Sequence, residues 1–325
     1  MITSFDNTIL DEKLISAIPV DPVNTNTFHV AFGVDEQYIK CMGITILSLV
    51  KNNPNITFIF HIFYGSITQN DLDKLNKLVT DNKTTVKLYR INQEVFNNLP
   101  TNGHITSATY NRLLVVNRLK NIVDKVLYLD ADIVCLGDIS EMLTINIDDY
   151  IVAAVKEAEH AISNHIKNLN LTVEGYFNAG VLYINVNKWH ANNISEKVIK
   201  VMIENYDRFT LVDQDGLNVV LDKNILYIDQ KWNYLFDINK DTIPSNIKLL
   251  HYAGKTKPWS EWCVHPVKDY FVKYYQESPW RDIEFDKPTH YKHMKIYAKT
   301  SRKYGSLWKS IYWYFKYVQA KLKQN

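Results

Sequence analysis

Apolar residues in this chain come in short unbroken runs, separated by stretches of helical spacing. Residues 28–33 (FHVAFG) and 56–64 (ITFIFHIFY) are runs of strand length, and residues 85–91 alternate with period two. Between them, Ile39, Met42, Ile46, Leu49 and Val50 recur at three- and four-residue intervals, as do Leu72, Leu75, Leu78 and Val79. Thr68 with Asp71 resembles a capping box at the start of the second helix. The first ninety residues therefore predict β-α-β-α-β. That order argues for a parallel sheet buried on both faces, with ligands at the carboxyl ends of its strands.

The pattern continues with a helix over 107–118, on which Tyr110, Leu113, Leu114 and Asn117 lie near one face and Arg112 off it. By position alone Arg112 is expected to be a solvated helix arginine. Residues 126–129 (VLYL) read as a doubly buried strand and 150–155 as another. A polar span then runs to Glu174, long enough for a functional lid. Residues 176–186 (YFNAGVLYINV) form a strand interrupted by Gly180, a mark of close approach by a ligand or backbone. Residues 188–209 predict one long amphipathic helix, 212–221 another, and 225–228 a short strand. Residues 249–262 predict a strand end followed by a Gly/Pro-punctuated loop. Residues 1–26 are polar and aperiodic, a lead-in arm. The expected organisation is an arm (1–26), a catalytic domain (27–282) and a basic tail (283–325).

Composition changes this picture only at the end of the chain. The 325 residues, 46% hydrophobic, suffice for one large α/β domain with additions. The start lacks the basic and apolar regions of a signal peptide, and no run reaches the roughly 18 apolar residues of a membrane span. Cys41, Cys135 and Cys263 have no close spacing, so a reducing compartment is expected. Ten of the 37 Lys and Arg residues lie between 287 and 325, a stretch without Asp or Glu. The body is thus net acidic, which argues against a nucleic-acid surface over the whole protein.

The chemistry centres on residues 126–138 (VLYLDADIVCLGD). Asp-x-Asp occurs three times, at Asp71/Asp73, Asp130/Asp132 and Asp213/Asp215, but only the middle pair closes a buried strand. As a strand, that spacing sends both side chains from one face toward a single hard cation. His251 ends a later apolar strand, and two carboxylates with an imidazole suit manganese better than calcium. Gly254 offers close backbone approach and Lys257 a cation for phosphate. Neither a dinucleotide-binding GxGxxG nor a P-loop is present.

Six segments in order, FGVDEQY (32–38), YNRL (110–113), LYLDADIV (127–134), YFNAGVLYINVNKW (176–189), DQD (213–215) and HYAGKTKPW (251–259), resemble glycosyltransferase family 8. Within it the similarity is to lipopolysaccharide core glucosyl- and galactosyltransferases of Gram-negative bacteria. The resemblance spans 27–282 and implies a GT-A-like sheet and α-retaining transfer of a hexose, glucose before galactose, from a UDP-sugar to the lipopolysaccharide core. By position it implies that Asp130, Asp132 and His251 hold manganese, with magnesium the second candidate. Gly33, Asp35 and Tyr38 would contact uridine. Arg112, Asn178 and Asp213 would meet the donor sugar or its phosphate, and Gly254 and Lys257 the diphosphate. Gln214 would lie at the anomeric carbon, where a neutral amide favours front-side attack over a covalent intermediate; Asp213 and Asp215 are the covalent alternatives. Glu157 matches an acceptor-side acid only loosely and stays outside the predicted site.

Two other functions fit parts of the sequence. A haloacid-dehalogenase-type phosphatase matches VLYLDADIV, but leaves 177–180 and 251–259 unexplained. A non-catalytic carbohydrate- or membrane-binding module explains the tail but not the acidic cluster. The tail interleaves basic residues with Tyr and Trp, and is expected to hold the protein on the inner face of the cytoplasmic membrane through anionic lipid.

Overall fold

The computed structural model describes residues 8–18, 27–96, 110–157, 169, 171 and 175–323. The predicted lid falls largely outside them. Strand β1 (Ile9–Ser16) is followed by β2 (Thr27–Val34), α1 (Ile39–Asn52), β3 (Thr57–Tyr64), α2 (Gln69–Asp81) and β4 (Thr85–Ile91). Next come α3 (Asn111–Leu119), β5 (Lys125–Leu129), β6 (Ile133–Cys135), α4 (Ser140–Leu143), β7 (Val152–Lys156) and β8 (Phe177–Asn185). Helices α5 (Val186–Ala191), α6 (Ile194–Glu204) and α7 (Val212–Leu221) precede β9 (Ile225–Ile228), β10 (Tyr234–Leu235) and β11 (Leu249–His251). The chain ends in α8 (Lys268–Glu277), α9 (Tyr291–Tyr304) and α10 (Leu307–Leu322).

Among the described residues, eight strands form the main sheet in the order β1-β4-β3-β2-β5-β8-β7-β9, of which only β1 and β8 run against the rest. Successive residues of β5 serve two cores: Leu127 and Leu129 face one, Val126 and Tyr128 the other. That double burial is why its sequence is a continuous apolar run rather than an alternation. Thr68 caps α2 by accepting the Asp71 amide, as the sequence suggested. Asp71 also accepts the indole N–H of buried Trp280 at 2.7 Å, which ties the segment after α8 to α2.

Three elements depart from the sequence pattern. Residues 9–16, read as part of an arm, form an edge strand antiparallel to β4. Its side chains are mostly exposed, so backbone pairing holds it and no hydrophobic period announces it. The helix expected over 188–209 is two helices, broken where Asn193 adopts φ 50°, a left-handed conformation that Asn tolerates. The sheet is mixed rather than parallel at its centre, because β8 returns antiparallel between β5 and β7.

The chain leaves the main sheet after Leu129, turns through residues 130–132, and becomes β6 in a second sheet ordered β10-β11-β6. Asp130 and Asp132 therefore sit in the turn joining two sheets, not along one strand. Thr45 on α1 pins this turn, its hydroxyl lying 3.1 Å from the Ala131 carbonyl and 2.7 Å from that of Ile133. The register of the second sheet sets His251 opposite Ile133, directly beside Asp132.

Candidate functional site

Asp130, Asp132 and His251 present ligand atoms that all lie within 4.8 Å of one another. His251 Nε2 is 3.0 Å from Asp132 Oδ1 and 3.9 Å from Asp130 Oδ2. Two carboxylates and an imidazole at this spacing suit a divalent cation of the manganese or magnesium type. Lys257 Nζ ion-pairs with Asp132 Oδ2 and donates to the Tyr252 carbonyl at 2.9 Å. Burial pushes the Asp132 carboxyl up, but His251 and Lys257 outweigh it and hold the group well below the usual carboxylate range. Gly180 is required here: a Cβ would strike the His251 ring and come within 2.8 Å of Asp130 Oδ2.

Arg112, off the apolar stripe of α3, is buried in the site rather than solvated. It lies 3.1 Å from Asp130 Oδ1 and 3.1 Å from Asp213 Oδ2, donates to the Ala179 carbonyl at 2.8 Å, and sits over the Tyr128 ring. Burial pushes the Asp213 carboxyl up to about 6, with the Arg112 guanidinium opposing the rise. Arg112 thus holds a candidate metal ligand and a candidate sugar contact at once.

Helix α7 delivers Gln214. Its Oε1 accepts from the Ala179 amide at 3.0 Å and from Asn178 Nδ2 at 3.1 Å. Its Nε2 donates to Tyr176 at 3.0 Å and to Glu157 at 3.2 Å. Asp215, a covalent alternative in the sequence, faces away: it accepts from Tyr176 at 2.6 Å and from the amides of Thr210 and Leu211 at 2.8 and 2.9 Å. Its carboxylate is taken up at the start of the helix by these three donors. Glu157, set aside in the sequence, touches Gln214. Asn233 went unnoticed because it lies where regular pattern fades. Its side chain donates to Asn178 Oδ1 at 3.0 Å and lies 2.9 Å from His251 Nδ1.

The remaining predicted residues gather at the same edge. Asp35 follows β2 and accepts from the Tyr38 amide at 3.2 Å; Gly33 is the last residue but one of the same strand, paired with Phe63. Tyr38 packs edge-on to Trp259 at 5.6 Å, and burial with the nearby Asp132 charge raises its hydroxyl pKa well above the ordinary tyrosine range. Gly254 has φ 89°, a conformation that favours glycine, in the loop after β11.

Residues 29–263 match the family model described as glycosyl transferase family 8, and residues 265–321 match that family's C-terminal model. The chain belongs to glycosyltransferase family 8. It is 33% identical over 297 residues to a lipopolysaccharide 1,2-glucosyltransferase of Escherichia coli K12, covering 84% of this chain and 87% of that one. It is 32% identical over 315 residues to a lipopolysaccharide 1,3-galactosyltransferase of Salmonella typhimurium, covering 92% and 93%. Among solved structures, the galactosyltransferase LgtC, bound to donor and acceptor sugar analogs, superposes with a TM-score of 0.71 at 22% identity, covering 78% of this chain and 99% of that one. The mainly parallel sheet with flanking helices is thus the GT-A-like fold of this family. Membership displaces the phosphatase and the non-catalytic module.

Proposed function

We propose that this family-8 enzyme transfers a hexose from a UDP-hexose to a lipopolysaccharide core oligosaccharide, with retention at the anomeric carbon and Mn2+ as cation, Mg2+ the second candidate. The observation that carries this is the convergence of Asp130, Asp132 and His251 within 4.8 Å, linked by hydrogen bonds through Asn233 and Asn178 to Gln214. The relatives support the acceptor class and divide on the sugar, which is glucose in one and galactose in the other. Glucose is our choice on resemblance; the two hexoses differ only at the C4 hydroxyl.

Asp130, Asp132 and His251 would hold the cation, which when bound would supply charge neutralisation for the departing diphosphate. Lys257 and the Gly254 amide add to that neutralisation, and Asp35 and Tyr38 bind the uridine. Arg112 keeps Asp130 and Asp213 in place beside the donor sugar. The sugar C1–phosphate bond breaks, a bond from the acceptor oxygen to C1 forms on the same face, and the acceptor proton passes to the leaving phosphate. The carbonyl end of Gln214 stabilises the oxocarbenium-like charge at C1. Residues 27–282 carry this chemistry. Residues 283–325 hold the enzyme at the cytoplasmic face of the inner membrane through anionic lipid, with no nucleic-acid partner.

The test is a panel of UDP-sugars with Mn2+ and truncated core oligosaccharides, followed by linkage analysis of the product. UDP-glucose is expected to be consumed with formation of an α-linkage. A β-linked product, or no UDP release from any hexose donor, overturns the proposal.

A further inference from the structure

The hydrogen bonds around His251 run in one direction, and backbone amides set it. The Gly180 amide donates to Asn178 Oδ1 at 3.0 Å, and the Ala179 amide donates to Gln214 Oε1 at 3.0 Å. A backbone N–H can only donate, so the oxygen of each of these side-chain amides is fixed in place. Asn178 Nδ2 then donates to Gln214 Oε1, consistent with both assignments. The other partner of Asn178 Oδ1 is Asn233 at 3.0 Å, which must therefore offer its NH2 group. That leaves Asn233 Oδ1 facing His251 Nδ1 at 2.9 Å, and an oxygen there requires a proton on Nδ1. With its proton fixed on Nδ1, the ring turns Nε2 toward the carboxylates, 3.0 Å from Asp132 and 3.9 Å from Asp130, and Nε2 is the nitrogen left to give up its proton to a cation.

We propose that Asn233 is a positioning residue for the metal, holding His251 in the Nδ1–H tautomer so that Nε2 serves as ligand. The alternative tautomer would donate its Nε2 proton to Asp132 and compete with the cation for both groups. Asn233 suits the role because it is itself fixed. It is buried, it closes the short turn at residues 230–232 through its amide, and it immediately precedes β10, which pairs with the strand bearing His251. The backbone amides of β8 thereby set the proton position on a ligand two side chains away. Partners of this kind typically change metal affinity ten- to a hundredfold when removed. The proposal rests on the metal assignment made above.

Two measurements on the full chain test it. Long-range proton–nitrogen spectra of histidine-labelled, metal-free protein above pH 7.5, with His251 assigned by its loss in His251→Gln, should show a proton on Nδ1. A neutral ring protonated only on Nε2 overturns the proposal, and this needs no Asn233 variant to fold. Titration of Mn2+ in the presence of UDP, followed by the free-ion paramagnetic signal, should show Asn233→Leu weakened ten- to a hundredfold. Asn233→Asp, which keeps an oxygen for Nδ1–H, should bind more tightly than the leucine variant. Wild-type affinity in Asn233→Leu, or equal loss in both variants, overturns the role of Asn233 alone. A wild-type chain that takes up no Mn2+ overturns the metal assignment and this proposal with it.

Discussion

Replacing Asp130 or Asp132 by Asn keeps the side chain's shape and removes one of the two anionic groups from a cluster completed by the imidazole of His251. Turnover should fall at least about a hundredfold, the size seen when one key electrostatic element is lost. Transfer at near-normal rate in EDTA would refute the metal role. Gln214 makes a different demand, since its stabilisation is needed mainly in the transition state. Gln214→Ala should lower kcat far more than it raises KM for the donor. A collapse of donor affinity with intact kcat would make Gln214 a binding residue. No sugar should be trapped on Asp215, whose carboxylate is taken up by Tyr176 and two backbone amides.

Strand β8 passes the metal cluster at Gly180, with no room for a side chain between backbone and His251. Gly180→Ala should still fold, because its neighbours can shift locally, but Mn2+ affinity and turnover should both drop at least tenfold. Wild-type affinity would mean the ring has room to move. Strands β2 and β3 hold a different buried device. His29 and His61 lie side by side, 3.0 Å apart through ring nitrogens, and His61 reaches Tyr89 at 3.0 Å. Burial, aided by Lys87, lowers the His29 pKa to about 4, and burial lowers that of His61 as well. Folded-state values below the unfolded one mean that the unfolded chain binds more protons between about pH 6.5 and pH 4. Stability is therefore fully present above pH 6.5 and lost as pH falls, by up to about 1.4 kcal/mol per pH unit for each histidine that stays neutral. Denaturant melts of wild type and His29→Gln from pH 7.5 to 4.5 should show a shallower slope in the variant. Parallel curves would rule out this pair as the source.

At the scale of the whole molecule, the C-terminal pair of helices divides its aromatics between two tasks. Helix α9 docks on the body, with His293 stacked on Trp262 at 4.2 Å and Thr300 donating to the Trp262 carbonyl at 3.0 Å. Helix α10 packs on α9 through Trp313 against Tyr297 and Tyr317 against Tyr291. Its other face leaves Trp308 81% exposed, together with Leu307, Tyr312, Tyr314 and Phe315. Among the described residues no helix is long and apolar enough to cross a membrane. An exposed aromatic face flanked by lysines suits the headgroup level of an anionic bilayer, at about 1 kcal/mol per basic residue near the surface. Removing α10 after Gly305, which leaves α9 docked, should abolish sedimentation with anionic vesicles at low salt while sparing transfer to soluble core fragments. Full-length protein that ignores such vesicles would refute the membrane role.

The order β-α-β-α-β, the capped start of α2 and the strand ending at Leu129 were legible in the sequence because each rests on local periodicity, capping or a continuous apolar run. The sequence also pointed to Asp130, Asp132 and His251 as one cluster, and the fold brings the three together. Burial of Arg112 was not legible, since helical spacing says nothing of the carboxylates that β5 and α7 bring to it from elsewhere in the chain. Strand β1 gave no signal because an edge strand with exposed side chains is specified by backbone pairing. The turn at 130–132, the reversal of β8 and the linkage of Asn233 to His251 all depend on contacts between segments distant in sequence. Local pattern thus determined which residues carry charge, turn or bury; register between strands decided which of them meet.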